Sequence, residues 1–509
     1  MAAFDASWTN ADTVVVGGGT SGPAVAGLLA ERSSERVLVL EAGPDYAAFG
    51  SGRWPAELLD ASAMPTSHAW GYDSGTLVPD RVIPFDRARV IGGCSSHNGC
   101  AALWGSRADY DAWAAAGCTG WSTDELLPTF HEVSRRMHVR PGEDRALGPY
   151  HRAVLEAAAA LGIPRASDLN DLDRELGAGP FAANIRDGIR WNAAFAYLDP
   201  VRGLPHVAVS GDTIVDRIEL PGGTARVHAV RAGRPLVIEA GRIVLTAGTY
   251  GTPAILLRSG IGPARELERL GIDVVHDLPG VGANLHDHPM AELDFTGSPA
   301  LRDALAEASS RGFVPEEQTL AKVRSAHCQS SFDLHIAPVA AVQEHSLLAG
   351  RVLLAVACMT PRSRGRLTLA SNDPERMPLI DHGYLRDPDA ADLAVLEDGV
   401  RIARELAATE PLRTLIGRET GELAGREGAA LRSGIRGTHG HYYHPVGTAR
   451  MGADGDALAV CDPTGRVRGL DRLWVGDCAL IPTIPRANTN IPAIVVGARV
   501  AASLLAEAG

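Results

Sequence analysis

TVVVGGGTSGPAVAGLLAERSSERVLVLEAG, residues 13–43, is the stretch that decides the fold. Residues 13–16 are short, apolar and β-favouring, which predicts a buried strand. Residues 23–31 have helical spacing with small side chains facing inward, and 37–40 form a second strand that ends at Glu41. Gly17, Gly19 and Gly22 complete G-x-G-x-x-G between the first strand and the helix. The first glycine permits a tight turn, the second lets a pyrophosphate approach the backbone, and the third lets helix and strand pack closely. Phosphates then meet the helix N-terminus, where unpaired N–H groups and the helix dipole favour negative charge. Glu41, at the end of the second strand, is placed to bond ribose hydroxyls. The glycines alone are a weak signal. Flanked by two strands and a helix, with the acid at this distance, they become a strong one.

The chain has 509 residues, of which 45% are hydrophobic, 21% charged and 5% aromatic, a globular composition that implies about two to three domains. No apolar run reads as long enough to span a bilayer, and the N-terminus lacks the basic and apolar regions of a secretion signal. The seven cysteines are scattered, with no CxxC pair, and read as reduced thiols of a cytoplasmic protein. A net charge of −13 without a basic cluster excludes a nucleic-acid partner and a polybasic membrane anchor. There is no repeat or low-complexity tract, and His286 and His288 flank Asp287 without further metal ligands, so no metal is expected.

Two later segments choose the nucleotide. RIVLTAGTYGTPAILLRSGIG (242–262) reads as strand, glycine turn and helix, and LWVGDCALIP (473–482) as a strand ended by Gly476-Asp477. An acid there suits a ribityl hydroxyl or phosphate environment. Only one full G-x-G-x-x-G unit is present, so a second, nicotinamide-binding domain is absent and the expected cofactor is FAD.

Taken together, the N-terminal unit, ARVIGGCSSHNGC (88–100), GTYGTPAILLRSGIG (248–262), GVGANLHDHP (280–289), HPVGTARMG (444–452) and the tail 473–501 resemble the glucose–methanol–choline (GMC) flavoprotein oxidoreductases. The motifs occur in the family's order over most of the chain. The resemblance implies an α/β fold, an FAD-binding Rossmann-like domain with a second, α+β substrate-binding cap domain. It divides the chain into 1–140 with 196–288 and 436–509 as a discontinuous FAD domain, and 141–195 with 289–435 as the cap. It extends the cofactor contacts to Thr20, Ser21, Ala42, Arg89, Gly92, Gly93, Ser96, Asn98, Gly99, Ala101, Val215, Ala247, Gly248, Asp477, Cys478, Asn490, Ile491 and Pro492. GGCSSHN looks most like the choline oxidase branch, in which a histidine carries the flavin covalently. His97 would be that residue here, its bond raising the flavin's reduction potential and favouring hydride uptake.

By the same resemblance, His444 and Asn490 form the catalytic pair beside flavin N5. Oxidising an alcohol requires a base for the hydroxyl proton, and histidine is the side chain that titrates near neutrality. Asn490 would hold the alcohol oxygen, although the NTN run also suits a turn or a helix cap. Tyr442, two residues before His444, would share its face in an extended chain and line the substrate pocket, while His441 would point away. HDHP (286–289) reads as structural.

Some features depart from the choline oxidase pattern. Residues 289–383 contain no Trp or Tyr to hold a trimethylammonium group. Position 99 is glycine where that branch has serine, and the histidine expected four residues after Asp333 is Ala337. His335 is the nearest substitute and is taken as a pocket residue with Tyr442. Lys322 and Arg324 stand where an acidic anchor would be convenient, and read as solvated surface groups. The expected activity is oxidation of an alcohol CH–OH group to an aldehyde or ketone, with O2 as acceptor and H2O2 as product. Alternatives are a dehydrogenase serving a quinone or other acceptor, and a hydroxynitrile-lyase-like protein. A homodimer is compatible with the sequence.

Overall fold

The computed structural model describes residues 8–75, 77–78, 81–341 and 343–508, so the reading of the N-terminus lies partly outside them. The 13–43 stretch folds as its residues predict. A strand, Asn10–Val16, leads through the glycine turn into a helix, Gly22–Arg32, and on to a second strand, Val37–Leu40. Proline in the first helical turn presets the backbone without wasting a needed donor. Gly17 has φ 109°, and a Cβ on Gly22 would stand 1.9 Å from the Gly17 carbonyl oxygen, so the turn admits no side chain at either position.

These strands belong to a seven-stranded sheet in the order Val207–Ser210, Val37–Leu40, Asn10–Val16, Arg234–Leu245, Ala225–Arg231, Thr213–Glu219, with Leu473–Val475 beside Arg234–Leu245. The first four pair in parallel, Leu473–Val475 joins in parallel, and the last three form an antiparallel meander. Val16, Leu40, Leu245 and Val475 lie in one register row. The next residues, Gly17, Glu41, Thr246 and Gly476, therefore emerge together at the carboxyl edge, where ligands bind in parallel sheets.

The second sheet runs Glu419–Thr420, Pro289–Phe295, Val352–Cys358, Leu334–Ala340, Thr319–Val323, Gly177–Pro180, antiparallel throughout, with Gly440–His441 also paired to Pro289–Phe295. The helix Ala391–Ala407 packs on it and buries Leu393, Leu396, Val400, Ala403 and Leu406, an i, i+3, i+4 stripe. Each buried leucine there contributes about 1.5–3 kcal/mol. All seven residues of Leu334–Ala340 are buried, so both faces of this sheet are covered.

One expectation needs correction. The C-terminal helix Asn490–Ala508 contains an 18-residue stretch, Asn490–Glu507, long and apolar enough by length and composition to cross a membrane. Gly497 and Arg499 hide this in the sequence. The stretch is 61% buried and packs against Gly22–Arg32 and Thr123–Arg136, as a core helix would.

Candidate active site

Two chain segments bring the site together. Pro289 pairs with His441, and His286 exchanges backbone hydrogen bonds with Val446, so 286–289 and 441–446 run antiparallel across each other. His288 and His444 therefore face one another, with their Nδ1 atoms 3.1 Å apart. Asp287 locks the pair. Its Oδ1 accepts the backbone N–H of His288 at 2.8 Å and of His444 at 3.0 Å, while Oδ2 accepts the Tyr384 hydroxyl at 2.8 Å. Burial raises this carboxyl to about 6, opposed by Tyr384, Arg87 and the two backbone donors. The HDHP segment, read as structural, is what holds His444 in place.

His444 is buried, and its pKa lies well below the ordinary histidine value, first through desolvation and then through His288, Arg87, His335 and His441. Burial opposes the near-neutral titration expected from residue type and favours the neutral imidazole. The ring of Tyr442 stands 4.6 Å from that of His444, although Tyr443 between them has φ 65° and the segment is not extended, whereas His441 turns away, bonds the Pro84 carbonyl and meets Phe85. His335 lies behind Tyr442, its ring stacked on Phe332 and both nitrogens unpartnered. Beside it, Lys322 corrects the surface reading. Its side chain is buried, Nζ donates to the Leu169 carbonyl at 2.7 Å, and it sits 4.9 Å over the Phe332 ring. Arg324 is exposed, as expected.

Asn490 opens the C-terminal helix. Its Nδ2 donates to Asn184 Oδ1 at 3.3 Å, and its own Oδ1 is buried without a partner. Asp477 is fully engaged. Oδ2 accepts Gly248 N–H at 2.8 Å and Thr252 Oγ1 at 2.6 Å, while Oδ1 accepts Ala479 N–H at 2.7 Å. It fixes the start of the helix Gly248–Arg258 and the turn at Cys478.

The 88–100 loop docks on the glycine turn. Gly92 N–H donates to the Gly18 carbonyl at 2.7 Å, Ser95 N–H to Thr20 Oγ1 at 3.1 Å, and Arg89 Nε to the Ala42 carbonyl at 3.1 Å. Ser96 Oγ turns inward to the Ile91 carbonyl. His97 donates Nε2–H to the Ser67 carbonyl at 2.6 Å, and burial lowers it to about 4, so its other nitrogen keeps a free lone pair. Sequence reasoning missed the clamp beneath this loop. Fully buried Arg190 donates to the carbonyls of Asn98, Asp60 and Ala63, and nothing local in the sequence announces it.

The fit to FAD can be read from the backbone. Around a Cβ placed on Gly19, the only atom within 4 Å is the Gly93 Cα at 3.8 Å, so the turn is open where a pyrophosphate approaches. Glu41 accepts Gly18 N–H at 2.9 Å and Gly43 N–H at 2.8 Å, and burial lifts it to about 7. Val215 lies at a bulge in Thr213–Glu219. Ala247 precedes the helix Gly248–Arg258, and Ile491 and Pro492 lie in the first turn of Asn490–Ala508.

A carboxyl-edge dinucleotide turn, a companion loop bearing histidine and a buried His444–Asp287 cluster between two sheets define a flavin-dependent oxidoreductase. Family models described as GMC oxidoreductase match residues 11–290 and 361–497, and the chain belongs to that family. It is 31% identical to choline oxidase of Arthrobacter globiformis over 96% of this chain and 93% of that protein. It is 32% identical to mitochondrial choline dehydrogenase of Homo sapiens over 96% and 88% respectively. Pyridoxine 4-oxidase from Mesorbium loti superposes with a TM-score of 0.84 at 27% identity, covering 96% of this chain and 98% of that one.

Proposed function

We propose that this protein oxidises the CH–OH group of a small alcohol to an aldehyde or ketone, with His444 as the base. The observation that carries the reading is the buried His444, its backbone held by Asp287 and its ring faced by His288. Only one hydrogen fits between two Nδ1 atoms 3.1 Å apart. We assign that hydrogen to His444 Nδ1. On this assignment His444 donates Nδ1–H to His288, and its Nε2 lone pair is free to take the alcohol proton. Asn490 holds the alcohol oxygen as negative charge develops there. FAD, when bound, supplies the hydride acceptor.

Glu41, the glycines of 17–22, the 89–101 loop, Val215, 247–248, 477–478 and 490–492 are the proposed cofactor contacts, and 1–140, 196–288 and 436–509 the proposed FAD domain. Residues 141–195 and 289–435 form the proposed cap. His335 supports the pocket wall behind Tyr442. His97, with one nitrogen committed to Ser67 and the other unprotonated, is the proposed covalent attachment point. We assign O2 as acceptor, H2O2 as product and the cytoplasm as location. The second reading, a dehydrogenase passing electrons to a quinone or other acceptor, is favoured by relatives named choline dehydrogenase.

The test is an anaerobic titration of the purified protein with a panel of alcohols, followed by air. Bleaching of the flavin absorbance and rapid recovery with peroxide supports the oxidase. Bleaching that persists in air supports the dehydrogenase. If dithionite bleaches and no alcohol does, the reading fails, and a lyase becomes the reading to test. Acid precipitation addresses His97: a yellow pellet is expected, and a colourless one removes the covalent bond.

A further inference from the structure

In HDHP, Asp287 and His288 hold His444, while His286 reaches a third stretch of chain, 482–490, which leads into Asn490. His286 is buried, and its Nδ1 accepts Ile484 N–H at 3.1 Å. Its backbone exchanges two hydrogen bonds with Val446, on the strand side of His444. One residue therefore ties the segment of His444 to the segment of Asn490. Asn284 repeats the bridge: its Nδ2 donates to the Gly447 carbonyl at 3.3 Å and to the Pro482 carbonyl at 3.1 Å. Other supports of 482–490 lead elsewhere. Trp113 Nε1 donates to the Thr483 carbonyl at 3.1 Å, and Asp109 accepts Arg486 N–H at 2.8 Å. Both lie on the helix Arg107–Ala115, so they fix the segment to that helix and not to His444.

The partners decide where the hydrogens of this ring lie. A backbone N–H can only donate, so Nδ1 presents its lone pair to Ile484 and the ring proton is on Nε2. Nε2–H then donates to the Pro361 carbonyl at 2.8 Å, whose second lone pair takes Arg364 Nη1 at 3.0 Å. Desolvation, then the Arg364 charge, holds this histidine well below its ordinary pKa, so Nδ1 keeps the lone pair that Ile484 needs.

We propose that His286 is a positioning residue, which sets the place of Asn490 relative to His444 through its bond to Ile484. The proposal rests on the alcohol-oxidation reading for the roles of Asn490 and His444, and on the hydrogen bonds alone for the tie. Hydride transfer depends on how the alcohol is held, and a displacement of about 1 Å can cost about 10²-fold in rate. Loss of the Ile484 bond, with the Asn284 bridge still in place, should slow flavin reduction far more than it weakens alcohol binding.

The experiment measures the limiting rate of anaerobic flavin reduction in FAD-loaded protein, using the fastest of ethanol, 2-propanol, glycerol, benzyl alcohol and choline. His286→Leu, which cannot accept from Ile484, is expected to lower this rate by about ten-fold. His286→Asn, whose Oδ1 can take the place of Nδ1, should restore it. In an Asn490→Ala background the same His286→Leu change should cost less than about two-fold, because the residue it acts through is gone. Equal falls in the two backgrounds overturn the proposal, as does a His286→Leu rate equal to wild type or a failure of asparagine to restore it. Should His286→Leu not retain FAD, the tautomer decides. In wild type labelled with nitrogen-15 histidine, the His286 ring, assigned by its loss in H286N, should show the Nε2–H form across neutral pH. The Nδ1–H form overturns the proposal. If none of the alcohols bleaches the wild-type flavin, the alcohol reading fails, and the tautomer still decides the tie to Ile484.

Discussion

The glycine turn at 17–22 and the cavity beside Tyr442 are built by opposite means. In the turn, side chains are excluded: a Cβ on Gly17 would meet the Thr246 carbonyl oxygen at 2.4 Å and one on Gly22 the Gly17 oxygen at 1.9 Å. Backbone geometry alone shapes it, from one contiguous stretch and the strand beside it. The cavity is made of residues 101, 181, 317, 319–320, 337–338, 442 and 488, gathered by the antiparallel sheet and the loops beside it. The turn can therefore serve one cofactor across a family, while the cavity can change its shape by single substitutions. His444 lies between the two regimes, its backbone pinned by Asp287 and its ring facing side chains.

The largest expected effect is on the turn. Gly22→Ala should cost about 3 kcal/mol or more through overpacking and release the flavin. Flavin content and thermal midpoint check this, and full flavin retention would break the contrast. Next comes the clamp. Asp287→Ala leaves the backbone donors of His288 and His444 unpaired in a buried place, so a loss of about 3 kcal/mol in stability is expected, with slowed flavin reduction. Tyr384→Phe, which removes one donor from Asp287, should cost only about 1 kcal/mol by denaturant unfolding. The smallest effect is at the surface: Arg432→Ala breaks an ion pair with Glu397 and should change stability by less than about 1 kcal/mol.

The pH profile sharpens the same comparison. A base works unprotonated, so activity is lost as pH falls through its pKa, and burial with the neighbouring cations puts that of His444 well below 6.5. kcat/KM should therefore stay flat as pH falls from 8 to 7, and a loss near 6 is assigned to the Asp287 carboxyl. An acid limb centred near the ordinary histidine value would contradict the enclosure of this ring.

How much the sequence disclosed follows from locality. The second strand occupies 37–40 in both readings, and the helix differs by one residue at each end, because spacing and glycines within one stretch determine them. The family motifs brought His97, His444 and Asn490 into view. The role of Asp287 was not legible, since its clients include a backbone N–H 157 residues away. Lys322 was misread because Thr319–Val323 is buried at every position, so the polar residue in that short run faces protein rather than water.

The central claim is that His444 takes the alcohol proton. It is tested most directly by the rate of anaerobic flavin bleaching by a saturating alcohol substrate at pH 7, in wild type and His444→Gln with equal FAD content. A fall of about 10²–10⁴ in the limiting rate is expected, with alcohol binding changed far less. A variant that bleaches as fast as wild type would contradict the assignment of His444 as the base.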